Sequence, residues 1–259
     1  MIRNAVVAAL AIAGVAGFSA GTAVADLPPP PPPPCSVVNF HEYKQPPATS
    51  LQAAVNAARP GDVLQVWGFC DGDTVITKNL GIEGAGGPPL FLWEHNHHVP
   101  LTQALDGDGV LGSVLTILPG VKLFLQDVAI ENGTGGPGAS GSFGAGYTVG
   151  GGIDNAGSLT LSNNLIINNT ASAGGGIYNE AGASLTSVAE SLVAGNTATD
   201  PSGGGGGLYM QSGTGNLHEL FIHGNAAAGH GGGIYFAGGT LTFSASNITG
   251  NTPDNLFVP

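Results

Sequence analysis

One segment of the chain combines an aromatic side chain with several histidines. In residues 86–105, Trp93 is closely followed by His95, His97 and His98. An exposed tryptophan either stacks on a sugar ring or packs its own loop onto the domain. Histidines this close can hold a metal ion, but their spacing matches no HExxH-type zinc motif. We therefore take these four residues as candidate ligand-binding residues and predict no metal site.

Two short acidic turns are the only candidate calcium ligands. Asp71-Gly72-Asp73 and Asp106-Gly107-Asp108 each place two carboxylates on a tight turn. A calcium ion in a protein takes about six to eight oxygen ligands, so either turn alone is incomplete. We favour a purely structural role for both turns and predict no cofactor.

The stretch AGHGGGIY, residues 228–235, resembles two catalytic motifs. Gly229-His230-Gly231 is similar to a polygalacturonase signature, but such an enzyme needs paired carboxylates and a cation for its uronic acid substrate. The sequence has no Asp-Asp pair and no basic residue after Lys122. His-Gly-Gly-Gly is similar to an esterase oxyanion loop, but Gly-x-Ser-x-Gly occurs only at residues 17–21. A turn is the remaining interpretation, and we predict no catalytic residue.

The glycines indicate what elements surround these residues, because they recur in step with apolar residues. Gly-Gly-Gly followed by an aliphatic residue begins at residues 150, 174, 205 and 231. A second column contains an aliphatic residue with Gly or Asn three positions later, and it comprises Ile130, Ile166, Val193, Ile222 and Ile248. Repeats of roughly 20–30 residues are typical of solenoids. Within each unit apolar and small polar residues alternate, which predicts strands with apolar residues inside and Asn, Thr and Ser outside.

These motifs carry a family resemblance. SLQAAVNAARPGDVLQV (residues 50–66), the repeated GGGIYN and GSLTLSNNLIINNT (residues 157–170) together resemble the right-handed parallel β-helix proteins of the pectin-lyase-like superfamily. The similarity is greatest to secreted bacterial members with polymorphic-outer-membrane-protein-type repeats. It implies an all-β, right-handed parallel β-helix, here of about six to seven coils. It does not decide the activity, since this architecture serves lyases, hydrolases and adhesins alike.

Both ends of such a solenoid need covering, because open strand edges promote aggregation. We predict a capping helix over residues 49–60, beginning with a Thr49–Gln52 capping box. Its apolar face comprises Leu51, Ala54, Val55 and Ala58. At the other end, Leu256 and Phe257 are the candidates for a second cap.

Residues 1–25 have the pattern of a secretory signal peptide, residues 26–34 form a proline-rich spacer, and residues 35–259 form one domain. Export favours a disulfide between Cys35 and Cys70, the two cysteines of the chain. The net charge of −12 argues against nucleic acid and anionic membranes as partners. After signal cleavage we expect no membrane span.

Three insertions, which follow Ile82, Ile130 and Val193, are expected at one corner of the coil, so that any ligand surface lies along that edge. The leading hypothesis is a secreted, non-catalytic binding or structural module of the extracellular space or cell surface. Its partners would be a cell-wall or extracellular polysaccharide, or a surface protein of a host or neighbouring cell. The alternative is a polysaccharide lyase or glycoside hydrolase that uses acidic residues brought together by folding, such as Asp127, Glu131 and Asp154.

Overall fold

The computed structural model describes residues 33–42, 46–86, 103–109, 112–139 and 145–259. The predicted signal peptide lies outside these residues, as do residues 26–32 of the spacer. The candidates Trp93, His95, His97 and His98 also lie outside them.

The described chain is a parallel β-helix, consistent with the predicted right-handed form, and three sheets surround one apolar core. Sheet 1 contains Thr74–Ile76, Leu115–Ile117, Ile153–Asn155, Ile177–Asn179, Leu208–Met210, Ile234–Phe236 and Leu256–Phe257. Sheet 2 contains the first half of Val63–Asp71, then Leu80–Gly84, Lys122–Gln126, Ser158–Ser162, Ser184–Ser187, Thr214–His218 and Thr240–Ser244. Sheet 3 contains the second half of Val63–Asp71, then Gln103–Asp106, Ala129–Glu131, Leu165–Ile167, Ser191–Ala194, Leu220–His223 and Asn247–Thr249.

The repeat columns are confirmed by the strand register. Ile153, Ile177, Leu208 and Ile234 pair in sheet 1, and all four are fully buried. The second column pairs in the same way along sheet 3. Between sheets 3 and 1 lies a small sheet of Thr170–Ala171, Thr197–Ala198 and Ala226–Ala227.

The asparagines of the repeat contradict the expectation that Asn lies outside. Asn169, Asn196, Asn225 and Asn251 point into the coil and are buried. Each of the last three accepts hydrogen bonds on its Oδ1 from both the backbone N–H and the side-chain Nδ2 of the asparagine one coil earlier, at 2.9–3.0 Å. A polar amide is stable inside because every coil supplies the partner that the neighbouring coil needs.

The insertion that follows Ile82 does not share a corner with the other two, so that prediction was wrong. Ile82 lies in sheet 2, paired with Leu125, whereas Ile130 lies in sheet 3, paired with Leu105. The first insertion therefore connects sheet 2 to sheet 3, and the other two connect sheet 3 to sheet 1. Strands of all three sheets alternate in the same way, so the alternation alone did not reveal the shift of one strand.

The N-terminal end is closed by two elements. The strand Ser36–Asn39 pairs antiparallel with Val63–Asp71 and is followed by a 3-10 turn, Phe40–Glu42. The helix Leu51–Ala57 buries the predicted apolar face. Its N-cap is Ser50, which accepts a hydrogen bond from the Ala53 N–H, so the Thr49–Gln52 capping box was wrong.

Gln52 instead satisfies the exposed edge of sheet 1. Its Oε1 accepts a 2.7 Å hydrogen bond from the backbone N–H of Val75. Cys35 and Cys70 form the predicted disulfide and tie the start of the domain to its first long strand. In the part of the chain described, no helix is long and apolar enough to cross a membrane.

Candidate functional site

The outer face of sheet 2 carries a regular array of small polar side chains. The alternation of the strands points every second residue outward, and strict register aligns these residues across four coils. One row contains Ser158, Ser184, Thr214 and Thr240, and the second contains Thr160, Thr186, Asn216 and Thr242. Neighbouring members of a row are about 4.8 Å apart, and the rows are about 6.7 Å apart. We call this surface the hydroxyl face.

Most of these groups have no hydrogen-bond partner among the residues that the structure describes. Within the described residues, only Asn216 and Thr242 hydrogen-bond through their side chains, to each other at 3.2 Å, and Thr242 also to the Gly215 carbonyl at 3.3 Å. The other six hydroxyls of the hydroxyl face are available as donors and acceptors. The face is thus a flat, repeating surface of hydrogen-bonding groups.

An aromatic ring and a cation adjoin the first coil of the hydroxyl face. Phe124 continues the Thr160 row and is 37% exposed, and Lys122 continues the Ser158 row. Together with Asn79, Ser158 and Thr160 they line a shallow depression of about 330 Å³. An exposed ring beside hydroxyls is the combination that binds sugars, because one face of a sugar ring is apolar while its edge is polar.

A buried aspartate in sheet 1 has a strongly raised pKa. Asp154 lies on the outward side of sheet 1 in register with Tyr178, and only 1% of its surface is exposed. Its Oδ2 accepts a 2.6 Å hydrogen bond from the Ala139 N–H, and its side chain hydrogen-bonds to Glu180, which is 2% exposed. Burial, together with the charge of Glu180, raises the pKa of Asp154 to about 8.

The raised pKa favours the protonated form of Asp154, and neither carboxyl group of the pair reaches solvent. Two carboxyl groups hydrogen-bond to each other only when one of them is protonated. Asp154 Oδ1 is buried without a hydrogen-bond partner. The segment around Ala139 lies over the pair. Glycoside hydrolysis requires both carboxyls to contact the sugar, and this arrangement leaves neither accessible.

A row of aromatic rings continues the Asp154 column toward the C-terminus. Tyr178 stacks on Tyr209 at 4.7 Å between ring centroids, and Tyr209 stacks on Tyr235 at 4.8 Å. Because the rings cover each other's faces, the row presents edges and no free face for a sugar. Burial raises the pKa of Tyr209 to about 12 and that of Tyr178 further, so both phenols stay neutral.

The acidic residues that sequence analysis offered for catalysis are not gathered in one place. Asp127 lies in the turn between sheets 2 and 3, Glu131 in sheet 3 and Asp154 in sheet 1. Glu131 instead pairs with Asp106, which in turn pairs with Asp71 in the same sheet.

The two Asp-Gly-Asp turns therefore stack on each other. The Asp106 carboxylate accepts hydrogen bonds from the Asp108 N–H and the Asn132 side chain, as expected for structural turns. Among the described residues no group of three or more His, Cys, Asp or Glu side chains is placed to hold a metal ion.

His230 lies at the corner that precedes the Gly-Gly-Gly strand, where it pairs with Gly204 of the previous coil. Its ring stacks on Phe257 at 4.1 Å, and its Nδ1 is 3.2 Å from Asp254 Oδ2. The histidine is exposed and has one carboxylate beside it. This placement fits the turn interpretation.

Neither Glu180 nor the hydroxyl face was predicted as a site, although the sequence contains signals for each. The Gly-Gly-Gly alignment puts Asp154 in the column of Tyr178, and strand alternation puts Glu180 on the same side two residues later. The motif pairs Ser158/Thr160, Ser184/Thr186 and Thr240/Thr242 begin about five to seven residues after the aliphatic residue that follows Gly-Gly-Gly. The alternation of each strand predicts only that these side chains face solvent.

The fold and the site define a parallel β-helix with a flat hydroxyl face and a sealed carboxyl pair. No family model matches the chain, and neither curated proteins nor solved structures provide a match.

Proposed function

We propose that this protein is an exported, non-catalytic β-helix that acts as an extracellular or cell-surface binding module for a neutral polysaccharide. The observation that carries the proposal is the hydroxyl face. A polysaccharide repeats its hydroxyl groups along its length, and a solenoid repeats its own along the stacking axis. Successive sugars then meet equivalent side chains in successive coils.

The charge of the protein supports a neutral ligand. A net charge of −12 repels polyanions, and Lys122 is the only cation among the described residues that line the depression beside the hydroxyl face. Phe124 supplies a ring on which a terminal sugar can stack. Membership of the pectin-lyase-like superfamily, with polymorphic-outer-membrane-protein-type repeats, belongs to the same proposal and rests on the sequence motifs together with the parallel β-helix.

The test is binding to a panel of neutral polysaccharides, measured by pull-down for insoluble ones and by calorimetry for soluble ones. Replacing both Thr160 and Thr186 by valine removes two hydroxyls and keeps the β-branched shape. We expect at least about a tenfold loss of affinity, or 1.4 kcal/mol. The matched control is Thr249→Val, which removes an exposed hydroxyl from sheet 3 and should bind as the wild type does. Failure of the wild type to bind any member of the panel would overturn the proposal.

A glycoside hydrolase or lyase remains the second candidate, because a hydrogen-bonded carboxyl pair with a raised pKa is a common feature of enzymes that use a general acid. The same panel separates the two. Release of new chain ends by the wild type, abolished in Glu180→Gln, would establish the enzyme. Unchanged polysaccharide in the presence of bound protein supports the binding module.

A further inference from the structure

The two ends of the solenoid differ sharply. At the N-terminal end the helix Leu51–Ala57 and the antiparallel strand Ser36–Asn39 cover the first coil. At the C-terminal end, Thr240–Ser244, Asn247–Thr249 and Leu256–Phe257 are the last strands of sheets 2, 3 and 1. Within the described chain no strand pairs with the outer edge of any of them.

Core positions of the last coil are exposed as a result. Phe243 is in register with Leu217, which is fully buried, yet 42% of Phe243 is exposed. Leu256 is in register with buried Ile234 and is 44% exposed. Both residues point toward the core of their own coil. They are exposed because no further coil covers them in the described structure.

We propose that this end is an interface between two copies of the chain, which stack C-terminal coil against C-terminal coil. Unpaired strand edges lie on all three faces of the coil. An extended peptide pairs with one such edge, whereas only another open coil of the same cross-section pairs with three at once. The described N-terminal end is closed, which leaves the C-terminal end of a second copy as the matching surface.

Charge favours the same occupant. The protein as a whole repels its own copies, but Asp254 is the single charged side chain among residues 237–259. That aspartate lies beside His230. Natural edge strands are usually protected by charged side chains, especially lysine. The three last strands contain no charged residue. At this end face two copies can therefore approach without placing many like charges together.

The symmetry follows from the geometry. Two copies that meet through the same end are related by a two-fold axis across the solenoid, so the facing strands run antiparallel. Such an interface uses up both open ends. The assembly therefore stops at a dimer and does not grow into a filament.

The experiment is the mass of the purified protein by light scattering and sedimentation at concentrations up to about 100 µM. We expect a dimer. Phe243→Lys buries two unpaired cations at the interface and should raise the dissociation constant at least tenfold. The matched control is Phe124→Lys, which changes a similarly exposed phenylalanine on the side of the solenoid and should remain dimeric.

Circular dichroism checks that each variant keeps the wild-type β spectrum. If Phe243→Lys does not fold, Leu256→Lys tests the same interface through sheet 1 and should likewise give monomers. A monomeric wild type at the highest concentration would overturn the proposal. A dimer that is disrupted by Phe124→Lys, but not by folded Phe243→Lys or Leu256→Lys, would also overturn it. A mass that rises beyond that of the dimer as the concentration increases would do the same.

Discussion

Asp154 and Glu180 lie on neighbouring coils, where their buried carboxyl groups hydrogen-bond to each other and burial raises the pKa of Asp154, which favours a proton on that residue. Burial of both residues makes two negative charges at this position unfavourable, so the folded protein keeps the proton to a pH at which the unfolded chain has lost it. The pair is therefore a source of pH-dependent stability, whether or not it has any role in chemistry.

The free energy of unfolding should fall as the pH rises from about 4 to about 8. Over this range the unfolded Asp154 has lost its proton while the folded one retains it, which costs up to about 1.4 kcal/mol per pH unit. Above about pH 8 the contribution is fully lost and the slope disappears. Urea unfolding at several pH values measures it.

Asp154→Asn should flatten this slope, because an amide does not titrate. The free energy of unfolding of the variant should depend less on pH than that of the wild type. Relative to the wild type, the variant should therefore be more stable near pH 8 than near pH 4. Glu190→Gln removes an exposed carboxylate and should leave the slope as it is. Equal slopes in the wild type and Asp154→Asn would show that the proton on Asp154 has no energetic role.

The fold was predictable from the sequence because a solenoid repeats its local rules in every coil. The Gly-Gly-Gly columns, the aliphatic columns and the apolar face of the capping helix all follow from spacing and alternation. The predictions were wrong where one local sequence pattern is compatible with two structures. Ser50 and Thr49 are both good N-caps, and Ile82 fits the alternation of either sheet 2 or sheet 3.

The candidate site was less predictable, because it depends on contacts between coils. Asparagine usually faces solvent, and only the hydrogen bonds of Asn196 to Asn169 and Asn225 make its burial favourable. Glu180 became relevant only once the register placed it beside Asp154. Such contacts between side chains of different coils can be evaluated only when the strand register is known.

The third glycine of each Gly-Gly-Gly should tolerate no side chain. A Cβ on Gly176 would lie 2.6 Å from the Gly207 carbonyl oxygen and 3.0 Å from the Asn196 amide, and the carbonyl belongs to rigid backbone of the next coil. We expect Gly176→Ala to lower the free energy of unfolding by about 2 kcal/mol or more. Chemical denaturation measures the change.

Gly238→Ala is the matched control for that substitution. Its added Cβ would meet nothing closer than the Gln211 carbonyl oxygen at 3.6 Å, in a backbone conformation that alanine adopts. We expect a change within about 0.5 kcal/mol. Similar losses in the two variants would mean that crowding at the third glycine is not the cause of the change.

The disulfide should stabilise the N-terminal end of the solenoid. Cys35 and Cys70 close a loop with a sequence separation of 35 residues, so opening it should cost roughly 2–4 kcal/mol through the entropy of the unfolded chain. Adding a reductant should lower the melting temperature of the wild type. It should not affect the double variant Cys35→Ala/Cys70→Ala, which should melt at the lower temperature throughout. A wild-type melting temperature that ignores the reductant would contradict this expectation.

The asparagine ladder should be the most demanding polar feature of the core. Asn196 accepts from Asn169 and donates to Asn225 and to the Ile166 carbonyl, so Asn196→Ala leaves buried groups without partners in both neighbouring coils. Each unsatisfied buried group costs about 1–3 kcal/mol, and we expect a total of about 3 kcal/mol with a melting temperature lower by roughly 5–10 °C. Asn216→Ala removes an exposed asparagine from sheet 2 and should change stability by less than about 0.5 kcal/mol. Equal melting temperatures of the two alanine variants would mean that the buried amides only fill space. The apolar columns alone would then hold successive coils in register.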